Sequence, residues 1–242
     1  MYCVKNTLSY EEKLIYKPNQ TIKNLSIDCV VFGFENNRLE VLLIKRYVNP
    51  DKGKWALPGG FVLKSETLDQ AAVRILEETS NVKNIYLEQV HTFSKIDRFP
   101  IRRVISVAYF ALINPEKHYL KAGLGSTDVK WFSINDDLNL PFDHSKILLK
   151  SLNLLRQKVR IKPIGFELLP EKFSLTQLQN LYECILGETL DKRNFRKRII
   201  ALKMLTQLND FQKDVPHRAA RLYKFNSKAY NDLKNKGFNF QL

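Results

Sequence analysis

The feature that most constrains this chain is a change of texture near residue 160. Before it, strand-like and helix-like segments alternate. After it, two short helices follow one another across a tight turn. One core does not serve both patterns, so we expect two domains, residues 1–160 and 161–242, within a chain of 242 residues. That division agrees with the usual ~100–200 residues per domain. In the first part, Leu25–Phe34 and Leu39–Arg46 are rich in β-branched residues, and the intervening Glu35-Asn36-Asn37-Arg38 makes a good hairpin turn. Arg103–Ile113 reads as a buried strand and Val129–Phe132 as a shorter one. Leu68, Ala71, Ala72 and Ile75 recur at helical spacing. Asp143 is placed to cap a helix ending near Lys158.

Lys162-Pro163-Ile164-Gly165 forms a junction. Ser174 then caps a helix to Leu186, stopped by Gly187, and Asp191 caps a second helix, Lys192–Leu202. Helix, tight turn, helix is the helix-turn-helix pattern. Met204–Leu208 and Ala220–Phe225 pair as strands around a basic loop with Pro216, His217 and Arg218, which makes a wing. The fold class is α+β.

Charge favours a polyanionic partner. Lys plus Arg number 39 against 25 Asp plus Glu, for a net +14. Residues 192–228 hold eleven Lys/Arg and only two Asp, so much of the excess lies in one stretch. Phe195, Ile199 and Leu202 follow i, i+4, i+7 and face inward, leaving Lys192, Arg193, Asn194, Arg196, Lys197 and Arg198 outside. A basic second helix suits the major groove of double-stranded DNA. Arg reads guanine bidentately and Asn reads adenine, while Lys197, Arg218, Arg221 and Lys224 suit phosphates. A merely solvated basic face, or a nonspecific phosphate-coating module, is the alternative. The coincidence of charge, helix-turn-helix and wing favours DNA. RNA lacks support, since no aromatic stacking platform is visible.

Trp55–Val82, WALPGGFVLKSETLDQAAVRILEETSNV, carries Gly60, then Glu66 after five intervening residues, then Arg74 after seven. It resembles the Nudix box, G-x5-E-x7-R-E-U-x-E-E-x-G-U. The resemblance covers roughly residues 20–160 and implies a Nudix α/β/α sandwich. Nudix enzymes hydrolyse a diphosphate with divalent metal, and residues one, four and five after the Arg bring three Glu together on the ion. Here those positions hold Ile75, Glu78 and Thr79, and the following Gly is Asn81. Glu77 points ~100° around the helix from Glu78. The expectation is a box retained as scaffold (Gly60, Glu66, Arg74, Glu78), with no metal, no cofactor and no catalysis. A hydrolase rewired around Glu66, Glu77 and Glu78 remains the alternative. Arg74 reads as structural, since the family uses it to hold the box together.

His91–Tyr109 resembles a stretch of Nudix proteins related to ADP-ribose hydrolases and of regulators built from them. There an Arg-Asp-Pro tripeptide and a following Arg lie beside the ligand cleft; this chain has Arg98-Phe99-Pro100. Asp97, Arg98 and Arg103, with Lys45 and Arg46, are therefore effector-binding candidates, Arg for phosphate and Asp for sugar hydroxyls. A simple surface pair of Asp97 with Arg98 is the alternative. Trp55 and Tyr109 are placed either to stack on a ligand ring or to fill the core.

A degenerate Nudix domain before a winged helix resembles the Nudix-related transcriptional regulators. Two kinds are familiar: NrtR-type repressors of NAD metabolism that sense ADP-ribose, and arabinose-utilisation regulators of Bacteroidetes. Residues 163–198 resemble the second kind closely. The resemblance implies a homodimer on a pseudo-palindromic operator, released by L-arabinose or a related pentose, with ADP-ribose as the alternative effector. The three scattered cysteines, the polar Met1–Ile15 and the absence of a long apolar run point to a cytoplasmic protein without membrane association.

Overall fold

The computed structural model describes residues 19–83, 85–213 and 219–235. The chain divides into two compact units. The first comprises the chain through Val31, Val41–Ala111 and His118–Ser151; the second comprises Phe32–Glu40, Leu112–Lys117 and the chain from Leu152. Each mixes helix and sheet, as the α+β expectation requires.

The large sheet runs β3 (Trp55–Ala56), β2 (Arg38–Arg46), β1 (Thr21–Glu35), β6 (Ile105–Leu112), β5 (Leu87–Phe93). Further, β4 (Gly59–Leu63) pairs with β1, and β7 (Ser126–Ser133) with β2. In β1, Ile27 and Cys29–Phe32 are fully buried, so the strand carries apolar residues on both faces rather than in alternation, broken only by the buried Asp28 within Ile27–Phe32. Between β1 and β2, Asn36 and Asn37 both adopt left-handed backbone, at φ 50° and 57°. Asparagine tolerates that conformation and it suits a two-residue hairpin turn.

Helix α1 (Leu68–Ser80) starts at a capping box: Thr67 Oγ1 accepts from the Gln70 amide, and Gln70 Oε1 accepts from the Thr67 amide. It ends at Asn81, φ 61°. Its buried stripe is Ala71, Ala72, Ile75, Leu76 and Thr79. The segment before β7 crosses the carbonyl end of this helix. The Leu124 amide bonds Glu78 O at 2.6 Å, and a Cβ on Gly123 would sit 2.1 Å from that same oxygen, so only glycine fits there.

Helix α2 (His144–Ile161) follows Asp143 as expected. The expected cap has another use, however. Its carboxylate accepts two bonds from a buried guanidinium, because charge-assisted bonding in the interior is stronger than an exposed cap.

In the second unit, α3 (Leu175–Leu186) is capped by Ser174 through a capping box with Gln177, and it ends at Gly187, φ 72°. Helix α4 (Lys192–Ala201) is capped by Asp191, whose Oδ1 accepts from the Asn194 amide. A three-stranded sheet of β8 (Phe173–Ser174), β10 (Arg221–Phe225) and β9 (Leu205–Phe211) supplies the wing strands, and α5 (Ser227–Asn235) follows. The core packs Leu178, Leu181, Tyr182 and Ile185 of α3 against Phe195 and Ile199 of α4, with the Tyr182 and Phe195 rings 5.7 Å apart. Among the described residues, no helix is long and apolar enough to cross a membrane. Cys29 and Cys184 are free thiols; Cys3 lies outside the described residues.

Candidate functional site

The first unit holds a cleft built where β1, β4, α1 and the start of α2 meet. Register sets its floor. Asp28 of β1 lies opposite Gly59 of β4, and a Cβ on Gly59 would come 2.5 Å from Asp28 Oδ1. The glycine of the LPGGFV entry thus makes room for a buried carboxylate.

The box residues form one cluster on α1 and the loop before it. Arg74 donates from Nε to Glu66 Oε2 at 2.8 Å, from Nη2 to Glu66 Oε1 at 2.6 Å, from Nη1 to Glu78 Oε2 at 2.8 Å and from Nη2 to Phe61 O at 3.0 Å. Glu66 also accepts from the Leu63 amide at 2.7 Å. The hydrogen bond to Glu66 raises the Arg74 pKa further, so the guanidinium stays charged. Ile75 is 2% exposed and presents its branched side chain to Gly60. The Thr79 hydroxyl turns back to donate to Ile75 O at 2.7 Å. The divalent metal that the Nudix fold implies does not fit these residues. Two ligand positions are apolar or turned away, and the two remaining carboxylates already hold a guanidinium. Among the described residues, no cluster of three His, Cys, Asp or Glu is arranged around a common point.

Beneath the cleft lies a buried ionic network. Arg98, its side chain 4% exposed, donates from Nε and Nη2 to both oxygens of Asp143, at 2.9 and 2.7 Å. Nη2 also reaches Asp28 Oδ2 at 2.9 Å. The Ser106 hydroxyl donates to the same Asp28 oxygen at 2.6 Å. His144 Nδ1 accepts from the Leu57 amide at 3.1 Å, which places the imidazole proton on Nε2, 3.5 Å from Asp28 Oδ1. Burial by itself would raise the Asp28 pKa. His144, Arg98 and Ser106 outweigh it and hold the carboxyl well below the usual range. The whole set links β1, the loop after β5, β6 and the first residues of α2.

Of the effector candidates, Arg46 and Arg98 line the cleft, while Lys45, Asp97 and Arg103 lie outside its lining. Asp97 is exposed and pairs with Lys95 at 3.0 Å, not with Arg98. Arg103 is exposed, and Lys45 sits opposite Trp55 in the sheet. Trp55 packs edge-on against Phe132 at 4.8 Å, and Tyr109 is buried with its hydroxyl donating to Asp69 at 2.6 Å. Sequence reasoning missed Asp28, His144, Phe99 and Phe142 in the cleft lining. One signal was available: Asp28 is the single charge within LSIDCVVFGF, and a carboxylate inside a buried strand demands a partner.

In the second unit, Lys192, Arg193, Asn194, Lys197 and Arg198 are exposed on α4, with Phe195 and Ile199 buried behind them. Arg196 differs: it is half-buried, and Nη2 donates to Thr176 Oγ1 of α3 at 2.9 Å. Arg221 is exposed and lies over the Phe211 ring at 5.3 Å; Lys224 pairs with Glu171. Arg218 lies outside the described residues. The turn between the helices is tied down. Glu183 Oε1 accepts from the Leu190 amide at 2.9 Å and from Gln179 Nε2 at 3.0 Å, and Arg156 Nε donates to Ile185 O at 2.8 Å. These bonds fix α4 against α3 and leave a basic ridge, Arg193 and Lys197 one turn apart, facing solvent.

A Nudix domain with an altered box, together with a helix-turn-helix that carries a basic second helix and wing strands, defines a class: DNA-binding transcriptional regulators built on a Nudix domain. The NUDIX domain family matches residues 23–151, and the NrtR DNA-binding winged helix domain matches residues 165–225. The chain belongs to the NrtR family of Nudix-related transcriptional regulators. It is 36% identical over 211 residues to the ADPR responsive transcriptional repressor NtrR of Acinetobacter baylyi, covering 86% of this chain and 84% of that one. The crystal structure of Shewanella oneidensis NrtR complexed with a 27mer DNA superposes with a TM-score of 0.75 at 29% identity, over 89% of this chain and 97% of that one. The NUDIX domain of the same protein, complexed with ADP ribose, superposes with a TM-score of 0.51 at 29% identity, over 61% of this chain and 99% of that one.

Proposed function

We propose that this chain is an ADP-ribose-responsive transcriptional regulator that binds its effector in the Nudix cleft without hydrolysing it, and that the bound effector weakens operator binding. The observation that carries this reading is the box itself. Arg74 holds both remaining carboxylates while Ile75 and Thr79 present no ligand, so the cleft is built for binding rather than metal-assisted attack on phosphorus. The relatives support the effector class: the Acinetobacter repressor is ADPR responsive, and the Shewanella domain was crystallised with ADP ribose. The pentose expectation rested on residues 163–198 alone and finds no support among these relatives. Against a hydrolase rewired around Glu66, Glu77 and Glu78 stand the engagement of Glu66 and Glu78 by Arg74 and the pairing of Glu77 with Lys83.

The division of labour follows from the two units. Arg46 and the polar floor around Asp28 and His144 form the effector site. Lys192, Arg193, Asn194, Lys197 and Arg198 of α4 meet the DNA, with Arg193 and Asn194 reading base edges and the lysines and Arg221 meeting phosphates. Arg196 acts by bracing α4 on Thr176. A homodimer on a pseudo-palindromic operator matches the two-fold logic of helix-turn-helix proteins. The effector acts only through a difference in its affinity for DNA-competent and DNA-incompetent states.

The test is fluorescence anisotropy of DNA from the region upstream of the protein's own gene, at fixed salt with random DNA as competitor. Specific binding that ADP-ribose weakens, and L-arabinose and D-xylose do not, is the expected result. A response to a pentose alone overturns the effector assignment. Magnesium- or manganese-dependent ADP-ribose turnover abolished by Glu78→Gln overturns the non-hydrolysing reading.

A further inference from the structure

Phe142 is an anomaly that the buried network does not explain. It adopts left-handed backbone at φ 59°, where Gly, Asn or Asp is normally found and a bulky aromatic is an outlier. The neighbours on its C-terminal side are firmly held. Pro141 precedes it, Asp143 is clamped by Arg98, and the ring nitrogen of His144 is held by the Leu57 amide. The strain obtains no repayment from core burial, because Phe142 is only half-buried and its ring lines the cleft. Strain held by a rigid surround at a cleft is a mark of function rather than of packing.

The ring also has telling neighbours. Phe99 lies 5.2 Å away at 52°, half-buried and lining the same cleft. The planar guanidinium of Arg46 lies 5.1 Å from the Phe142 centroid, held by a hydrogen bond from Nε to Pro50 O at 3.0 Å. Two phenyl rings at the cleft wall, one with a cation over its face, form a corner suited to planar groups.

We propose that Phe99 and Phe142 form the stacking corner for the heteroaromatic base of a nucleotide effector, and that the left-handed backbone at Phe142 is maintained to present that ring. This rests on the reading of the cleft as an ADP-ribose-type site and deepens it by naming the residues that select a base-bearing ligand over a simple sugar. A pentose has no aromatic plane to offer this corner.

The test uses the full chain and two ligands, ADP-ribose by calorimetry and 1,N6-etheno-ADP-ribose by its emission. Phe142→Leu and Phe99→Leu each weaken ADP-ribose ~10-fold or more, the scale of base–aromatic stacking, and reduce the quenching of the etheno base on binding. Phe142→Tyr restores both. Phe142→Asn separates function from folding. Its backbone accepts the left-handed region, so the melting temperature holds while affinity falls as in the Leu variant. Effector-free operator binding is the same in all four variants, which shows that the second unit is intact. Wild-type affinity in both Leu variants, or affinity lost only in step with melting temperature, overturns the stacking corner and leaves the ADP-ribose reading standing. Failure of the wild-type chain to bind ADP-ribose at all overturns both.

Discussion

Replacing Arg98 with Met removes the one cation from a floor that keeps two buried carboxylates. Three charge-assisted bonds disappear, two to Asp143 and one to Asp28, while both carboxylate side chains stay only 9% exposed. Removing one partner of a buried pair costs ~3–5 kcal/mol, because the charge left behind is uncompensated. For a chain of this size that corresponds to a fall of roughly 6–20 °C in melting temperature. Both tryptophans, Trp55 and Trp131, lie in the first unit, so tryptophan emission during urea or thermal unfolding reports on the affected region. The pH dependence supplies a second check. In the native chain Asp28 titrates below its ordinary 3.8, so it adds stability above that pH which is lost as acid protonates it. Without Arg98, the Asp28 pKa moves up toward its ordinary value, while His144 and Ser106 still oppose the effect of burial. The variant's deficit is then full above about pH 4 and shrinks on further acidification, because wild type loses the Asp28 contribution as that carboxylate is protonated, so the gap to wild type narrows below about pH 4. A loss below ~1 kcal/mol, or a gap that stays constant with pH, refutes the assignment of Arg98 as keystone of this floor.

Three further outcomes follow from the same geometry. Arg193→Ala costs ~1–3 kcal/mol of operator affinity and relaxes sequence preference at one position, while Lys197→Ala weakens all DNA alike and lowers the salt slope by about one; competition titrations at several salt concentrations separate the two. ADP-ribose affinity measured by calorimetry is unchanged between excess EDTA and excess magnesium, because Arg74 already neutralises Glu66 and Glu78. Gly59→Ala pushes a methyl to within 2.5 Å of Asp28 Oδ1 and destabilises the first unit by ~1–3 kcal/mol, read again from tryptophan emission.

Much of this protein is legible in the chain because its signals are local. The Asn36-Asn37 turn, the Ser174 and Asp191 caps, the Gly187 stop and the inward stripe of Phe195 and Ile199 each depend on residues within about one helical turn or one hairpin. The altered box is equally readable, since its ligand positions lie on a single helix. The floor of the cleft is another matter. Arg98 meets Asp143 across 45 positions and Asp28 across 70, and Ser106 meets Asp28 across 78. No periodicity encodes such pairings. Only the sheet register and the placement of α2 bring those groups together, in an interior where an unpaired charge is prohibitively costly. For the same reason Arg98, expected to grip the ligand, is enclosed by carboxylates, and Arg196, expected at the bases, is tied to Thr176. The sequence by itself determined the elements, their caps and the basic face of α4. Tertiary packing alone decided which charges are held inside and which side chains, Phe99 and Phe142 among them, remain at the cleft to meet a ligand.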